Sequence, residues 1–194
     1  MKIIIASLVV MGVIAGAVPG RARAQTPWSA DLAWGGAKVT GGTYTDRHRR
    51  EAAGRLGYRV ATFAGADLVA GAAFENFRGF RPMYYVMAPC LPPGCVFTAP
   101  PPGVPNFAYA SATLGVRRAL GDVTLALDGG LGSVDVTGAG RRLGASGGVE
   151  MAFPLARPVW AVLRGEILSW TEAGNTLYAY PLTVGIRLAA PGRR

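Results

Sequence analysis

The sequence predicts an all-β protein: an eight-stranded antiparallel up-and-down transmembrane β-barrel. Three observations favour this fold: an export segment at the amino terminus, side chains whose polarity alternates with a period of two, and connections that alternate between short and long. Alternation of period two is typical of a strand with two different faces. A tilted strand of about 9–11 residues is long enough to cross a bilayer.

The first 24 residues are interpreted as a cleavable signal peptide. Lys2 precedes an uncharged, mostly apolar run over 3–17, and Ala22-Arg23-Ala24 has the small-x-small form that signal peptidase cleaves. A retained membrane helix is the alternative, because the apolar stretch approaches spanning length. Cleavage leaves one barrel domain, 25–194, and lowers the net charge by three from +9, to about +6.

Eight runs of alternation predict the strands. In the last of them Tyr180, Leu182 and Val184 alternate with Pro181 and Thr183. Marking every such run predicts strands at about 27–39, 54–64, 66–78, 106–119, 122–135, 142–155, 158–170 and 176–189.

The connections predict how the barrel stands in its membrane. Strands two and three are joined by AGAD, four and five by LGD, and six and seven by LARP, and Gly, Pro and Asp indicate tight turns in all three. The other four are longer: TGGTYTDRHRREAA, then 79–105, then VTGAGRR and TEAGN. This order is typical of an outer-membrane barrel, with the short turns and the amino terminus in the periplasm and the long loops extracellular.

The two faces of the strands predict the solvent on each side. One face holds large aliphatic and aromatic groups, whereas the other mixes small residues with five acids and five bases. These are Asp31, Arg55, Arg59, Glu75, Arg117, Asp128, Glu150, Arg164, Glu166 and Arg187. The lumen of eight strands has room only for side chains, and a buried ion needs a partner. We therefore expect a paired charge network inside the barrel. A soluble periplasmic lipocalin-like barrel, which would need its apolar faces turned inward, is the alternative.

Two tryptophans do not fit this assignment easily. Trp160 and Trp170 share the parity of Arg164 and Glu166, so strict alternation turns them inward. Interfacial tryptophans of membrane barrels usually face lipid. Either a bulge shifts the parity near a strand end, or these rings close the mouths of the lumen.

The mature chain resembles the small eight-stranded outer-membrane barrels of Gram-negative bacteria, of the OmpA and OmpX type. The resemblance rests on the signal peptide, the strand count, the alternation of connections, the charged lumen and the final strand TLYAYPLTVGIRLAA. It implies a cell-envelope protein inserted by the barrel-assembly machinery. Such barrels usually end in an aromatic residue, whereas this chain continues through Pro191, Gly192, Arg193 and Arg194.

The loops are the expected place for function. The segment CLPPGC predicts a disulfide between Cys90 and Cys95 that stiffens a Pro-rich loop tip. Arginines at the outer mouth suit the phosphates of lipopolysaccharide, and an ordinary solvated loop with these charges is the alternative. They are Arg47, Arg49, Arg50, Arg78, Arg81, Arg141 and Arg142.

Catalysis is not expected. Barrels that modify lipid A, an acyltransferase and a deacylase, pair a His with a Ser, but His48 is the single histidine here and no His-x-Ser occurs. A lipid A-modifying enzyme that uses His48 remains the alternative to a structural or surface-binding barrel. A porin-like diffusion pore is disfavoured because porins have about twice as many strands. We expect no cofactor, no metal, no nucleic-acid partner and a monomer in contact with outer-membrane lipid.

Overall fold

A computed structural model describes residues 27–41, 47–79, 106–156 and 158–189. The predicted signal peptide, the pair Cys90 and Cys95, and the carboxyl-terminal tail lie outside these residues. In the described part of the chain there is no helix of the length and apolarity that membrane spanning requires.

The described residues form eight antiparallel strands in a closed ring. The strands are β1 (Trp28–Thr40), β2 (Arg47–Phe63), β3 (Ala66–Gly79), β4 (Phe107–Leu120), β5 (Val123–Val136), β6 (Gly140–Ala156), β7 (Val159–Glu172) and β8 (Asn175–Ala189). Each strand pairs with the next in sequence, and β1 pairs with β8 to close the barrel. The predicted fold class and strand number are confirmed.

The barrel has two ends, a turn end and a loop end. The turn end holds the connections after β2, β4 and β6. The loop end holds the connections after β1, β3, β5 and β7. The turn after β2, Ala64–Gly65, and the turn after β7, Ala173–Gly174, have positive φ at both positions. Positive φ at both central residues is typical of the type I′ turns that join adjacent strands.

Several strands extend further toward the loop end than predicted. β2 begins at Arg47 and not at 54, so most of DRHRRE belongs to a strand and not to a loop. The connection after β7 consists of two residues and not of TEAGN, and β6 begins at Gly140. These predicted boundaries were wrong because both faces are polar near the strand ends, where no alternation of polarity marks a strand.

The two faces separate as predicted. In β8, Leu182, Val184 and Ile186 are exposed on the outer surface, whereas Thr183 and Arg187 are buried inside. Small residues keep the strands close together in the interior. A side chain at Gly35 would collide with the carbonyl oxygen of Leu182 in the pair that closes the ring.

A cluster of rings and aliphatic groups fills the interior near the loop end. We call it the aromatic plug, and its largest side chains are Phe77, Phe107, Tyr109, Leu168, Trp170 and Leu177. The ring centroids of Phe77 and Phe107 lie 4.3 Å apart, and those of Phe107 and Trp170 lie 5.0 Å apart. The inward parity of β7 runs unbroken from Val162 to Trp170. Trp170 therefore closes one mouth of the lumen, while Trp160 is half-buried near the turn end.

Candidate functional site

The centre of the barrel is occupied by Arg164 of β7. Its Nη1 donates to a carboxylate oxygen of Asp128 at 2.5 Å, and its Nη2 donates to the other oxygen of the same group. Its Nε donates to Glu166 at 3.1 Å, and its Nη1 lies 3.6 Å from Glu150. One guanidinium thus joins carboxylates from three strands, β5, β6 and β7. A planar guanidinium with five N–H donors suits this role.

Two further arginines extend the same network. Arg55 of β2 bonds to both Glu75 and Glu166. Arg187 of β8 donates from Nε and Nη2 to Asp31 at 2.6 and 2.5 Å, and from Nη2 to Glu150 at 2.8 Å.

Together these contacts make one continuous ion network across the lumen. We call it the lumen network, and its members are Asp31, Arg55, Glu75, Asp128, Glu150, Arg164, Glu166 and Arg187. Every strand except β4 contributes to it. A buried charge is stabilised by such direct partners, so the network binds the strands together from within.

The other two charged residues predicted for the lumen lie nearer the turn end. Nη1 of Arg59 lies 3.8 Å from one carboxylate oxygen of Asp67, and the other oxygen accepts a hydrogen bond from the hydroxyl of Thr62 at 2.6 Å. Arg117 of β4 lines a small cavity together with Arg187. The structure thus brings eight of the ten predicted residues into one network and places Arg59 and Arg117 beside it.

Two interior acids, Glu51 and Asp67, are not among the predicted lumen residues, although they are only 5% and 7% exposed. The sequence places Glu51 in a predicted loop because the predicted β2 begins at 54. Its parity with Ala53 and Arg55 places it on the inward face, but only once the strand is known to extend to Arg47. The sequence places Asp67 in the predicted AGAD turn, whereas in the structure it is the second residue of β3.

The arginines predicted at the outer mouth do not all lie on the outer surface in the structure. Arg50 and Arg78 are exposed and lie opposite each other in the register of β2 and β3. Arg141 and Arg142 are exposed at the start of β6, where Nε of Arg141 lies 3.5 Å from Asp135. Arg49 is 4% exposed, so its assignment to the outer surface was wrong. Its parity with Glu51 turns it inward. Arg81 and the side chain of Arg47 lie outside the described residues.

The position of His48 bears on the enzyme hypothesis. His48 lies within β2 and pairs with Lys38 in the backbone register, so it belongs to a strand rather than to a loop. Within the described ranges, no group of three or more His, Cys, Asp or Glu side chains is arranged to hold a metal ion.

No protein-family model and no curated protein matches the sequence. The crystal structure of Neisserial surface protein A (NspA) matches with a TM-score of 0.56 at 13% identity, over 86% of this chain and 99% of that one. The chain has the fold of a small outer-membrane β-barrel. Ail, the attachment invasion locus protein of Yersinia pestis, matches with a TM-score of 0.46 at 15% identity, over 84% of this chain and 99% of that one.

Proposed function

We propose that this chain is an integral outer-membrane barrel with a closed lumen, and that its role is structural or surface-binding. The observation that carries the proposal is the inverted polarity of the barrel. Large apolar side chains such as Leu32, Phe74 and Leu182 are more than half exposed outside, while Glu75, Glu150 and Arg164 are 4% exposed or less inside.

The outer surface of the barrel supports the proposal that lipid surrounds it. Among the described residues, 23 large hydrophobic side chains are exposed, and they come from every strand. Soluble monomers seldom expose a contiguous apolar patch above a few hundred Å². A lipocalin-like barrel would need the opposite arrangement, with apolar groups inside. The soluble periplasmic alternative is therefore disfavoured.

The interior supports a structural or binding role over transport. The lumen network crosses the middle of the barrel, and the aromatic plug fills it near the loop end. An eight-stranded barrel has little free width to begin with. A protein with this interior is best suited to present its loop end to a ligand.

The exposed arginines at the loop end support a phosphate-bearing ligand, for which lipopolysaccharide is the candidate in this membrane. Arg50, Arg78, Arg141 and Arg142 are the predicted contacts that are exposed in the structure. Guanidinium groups bind phosphates through paired, charge-assisted hydrogen bonds. The further partners we propose are outer-membrane lipid and, during insertion, the barrel-assembly machinery, with the chain acting as a monomer.

The first test is gel migration of membrane-extracted protein in SDS, with and without boiling. A membrane barrel resists SDS until it is heated, so the unboiled sample is expected to migrate at a different position from the boiled one. Washing the membranes with high salt should leave the protein in the pellet. Release by salt, together with identical migration of both samples, would contradict the proposal and favour the soluble barrel.

The substitution His48→Ala separates this proposal from the lipid A-modifying enzyme. A structural or surface-binding barrel predicts unchanged lipid A species in cells that carry the variant, as measured by mass spectrometry. Loss of an acylated or deacylated species that the wild-type protein produces would support the enzyme instead.

A further inference from the structure

A groove lies on the outward faces of β1, β2 and β3, and a group of cations lies on the same strands toward the loop end. Along these strands, outward residues lie side by side in rows set by the register. One row contains Leu32, Gly54 and Phe74, and the next row toward the turn end contains Ala30, Leu56 and Ala72. Large and small residues alternate across the two rows, so the surface is concave where the small ones lie.

This concavity is an apolar groove with a volume of about 490 Å³. Leu32, Leu56, Phe74 and Ile186 form its walls, and Gly54 and Ala72 lie between them. Its volume lies in the range of about 300–1,000 Å³ that is usual for small-molecule sites. A Cβ at Gly54 would meet only the Cδ2 of Leu32, at 3.9 Å, so there is open space above this glycine.

Three cations lie on the same outward face toward the loop end. Arg50 is opposite Arg78 in β3 and opposite Gly36 in β1, and Lys38 lies two residues beyond Gly36. All three cationic side chains are exposed. From Arg50 to Gly54 the strand advances four residues, or about 14 Å at about 3.4 Å per residue. That distance is close to the depth of one leaflet's acyl chains, which is half of a hydrocarbon core of about 30 Å, or about 15 Å.

From this arrangement we infer a binding site for a phosphorylated lipid of the lipid A type. Its phosphate groups bind Lys38, Arg50 and Arg78, and one acyl chain lies along β2 into the groove. The inference rests on the proposed function, because it requires this face to be in the membrane. A group of three cations suits a lipid with more than one phosphate better than a lipid with a single phosphodiester. A second copy of the chain fits poorly, because a two-fold contact here would bring like charges together.

The test uses native mass spectrometry of the detergent-solubilised full-length chain, titrated with purified bisphosphorylated lipid A. The headgroup variant is the double substitution Arg50→Gln and Arg78→Gln, and the groove variant is Gly54→Leu. Each is expected to raise the Kd by about tenfold, which corresponds to the loss of about 1.4 kcal/mol. Phosphatidylglycerol and inorganic phosphate are titrated in parallel and are expected to bind more weakly than lipid A.

The barrel offers a matched control on the opposite side, on β6. Gly147 lies seven residues from the loop-end start of β6, as Gly54 does in β2, and a Cβ there would meet only the carbonyl oxygen of Asp128, at 3.9 Å. Gly147→Leu should leave the Kd for lipid A within twofold. If Gly54→Leu does not fold, Ala72→Leu fills the same groove from β3.

The outcomes separate this site from the proposed function. An equal loss in the Gly147→Leu control would show that lipid A binds the outer surface of the barrel without using this groove. Equal binding of phosphatidylglycerol would show that the occupant is any anionic lipid, and inorganic phosphate that competes fully with lipid A would show that the groove is not used. Each of these results overturns the inference while the wild-type gel shift on boiling still holds. Loss of that shift would overturn the proposed function itself.

Discussion

At the scale of single residues, Arg164 holds the barrel interior together. It bonds to Asp128 and Glu166 and lies within 3.6 Å of Glu150, with its own side chain 4% exposed. Its contribution to stability lies mainly in the cost of removing it. Loss of a buried cation leaves buried carboxylates unpaired, which costs far more free energy than the loss of one partner of an exposed ion pair.

The substitution Arg164→Gln tests this position. It is expected to lower the free energy of unfolding by about 3–5 kcal/mol, because it leaves buried carboxylates without a shared cation. The measurement is denaturant unfolding of the detergent-solubilised barrel, followed by tryptophan fluorescence. Arg141→Gln removes the exposed pair with Asp135 and is the control, with an expected loss below about 1 kcal/mol. Equal losses in the two variants would show that the lumen network contributes little to stability.

At the scale of elements, the pairing of β1 with β8 determines whether the barrel closes. Gly35 lies opposite Thr183 in this pair, and a Cβ at Gly35 would come within 2.8 Å of the Cα of Thr183. Its neighbour Gly36 faces outward, and a Cβ there would meet only the carbonyl oxygen of Arg49, at 3.5 Å. Two adjacent glycines thus differ sharply in the space around them.

Gly35→Val should therefore impair closure, whereas Gly36→Val should not. Overpacking at such a contact costs about 1–3 kcal/mol, so we expect Gly35→Val to lower the fraction that shows the heat-dependent gel shift after refolding into detergent. The fraction for Gly36→Val should stay close to that of the wild-type chain. A normal shifted fraction for Gly35→Val would mean that the two strands can separate enough to hold the new side chain.

β2 shows what the sequence predicted at this scale and what it did not. Alternation between Arg55 and Arg59 located the middle of the strand, because outward Leu56 and Tyr58 are apolar there. Toward Arg47 both faces become polar, and the pattern that separates inside from outside disappears. The strand continues because its backbone pairs with β1 and β3, which no local pattern of side chains reveals. The partners of each lumen charge were hidden for the same reason, since Arg55 and Glu166 are 111 residues apart.

At the scale of the whole molecule, the closed interior has a consequence for ion flow. The aromatic plug adjoins the lumen network on the side of the loop end, and Tyr109 of the plug lies opposite Glu75 of the network in the register of β3 and β4. We expect no steady single-channel current when the wild-type protein is inserted in a planar bilayer. The double variant Phe107→Ala and Trp170→Ala should also stay closed, because it removes only the obstacle nearer the loop end. Repeated current steps of constant size from the wild-type chain would contradict this prediction.

The pairing of β1 with β8 also places Ser29 directly opposite Ala189, so the two ends of the described chain are neighbours. The barrel is therefore a ring with a single covalent break, and each strand has one neighbour on either side wherever that break is placed. A circular permutant that joins these ends and begins within the connection between β3 and β4 would keep all eight strand pairs. The strand that is synthesised first could therefore change without any change in the order of the strands around the barrel.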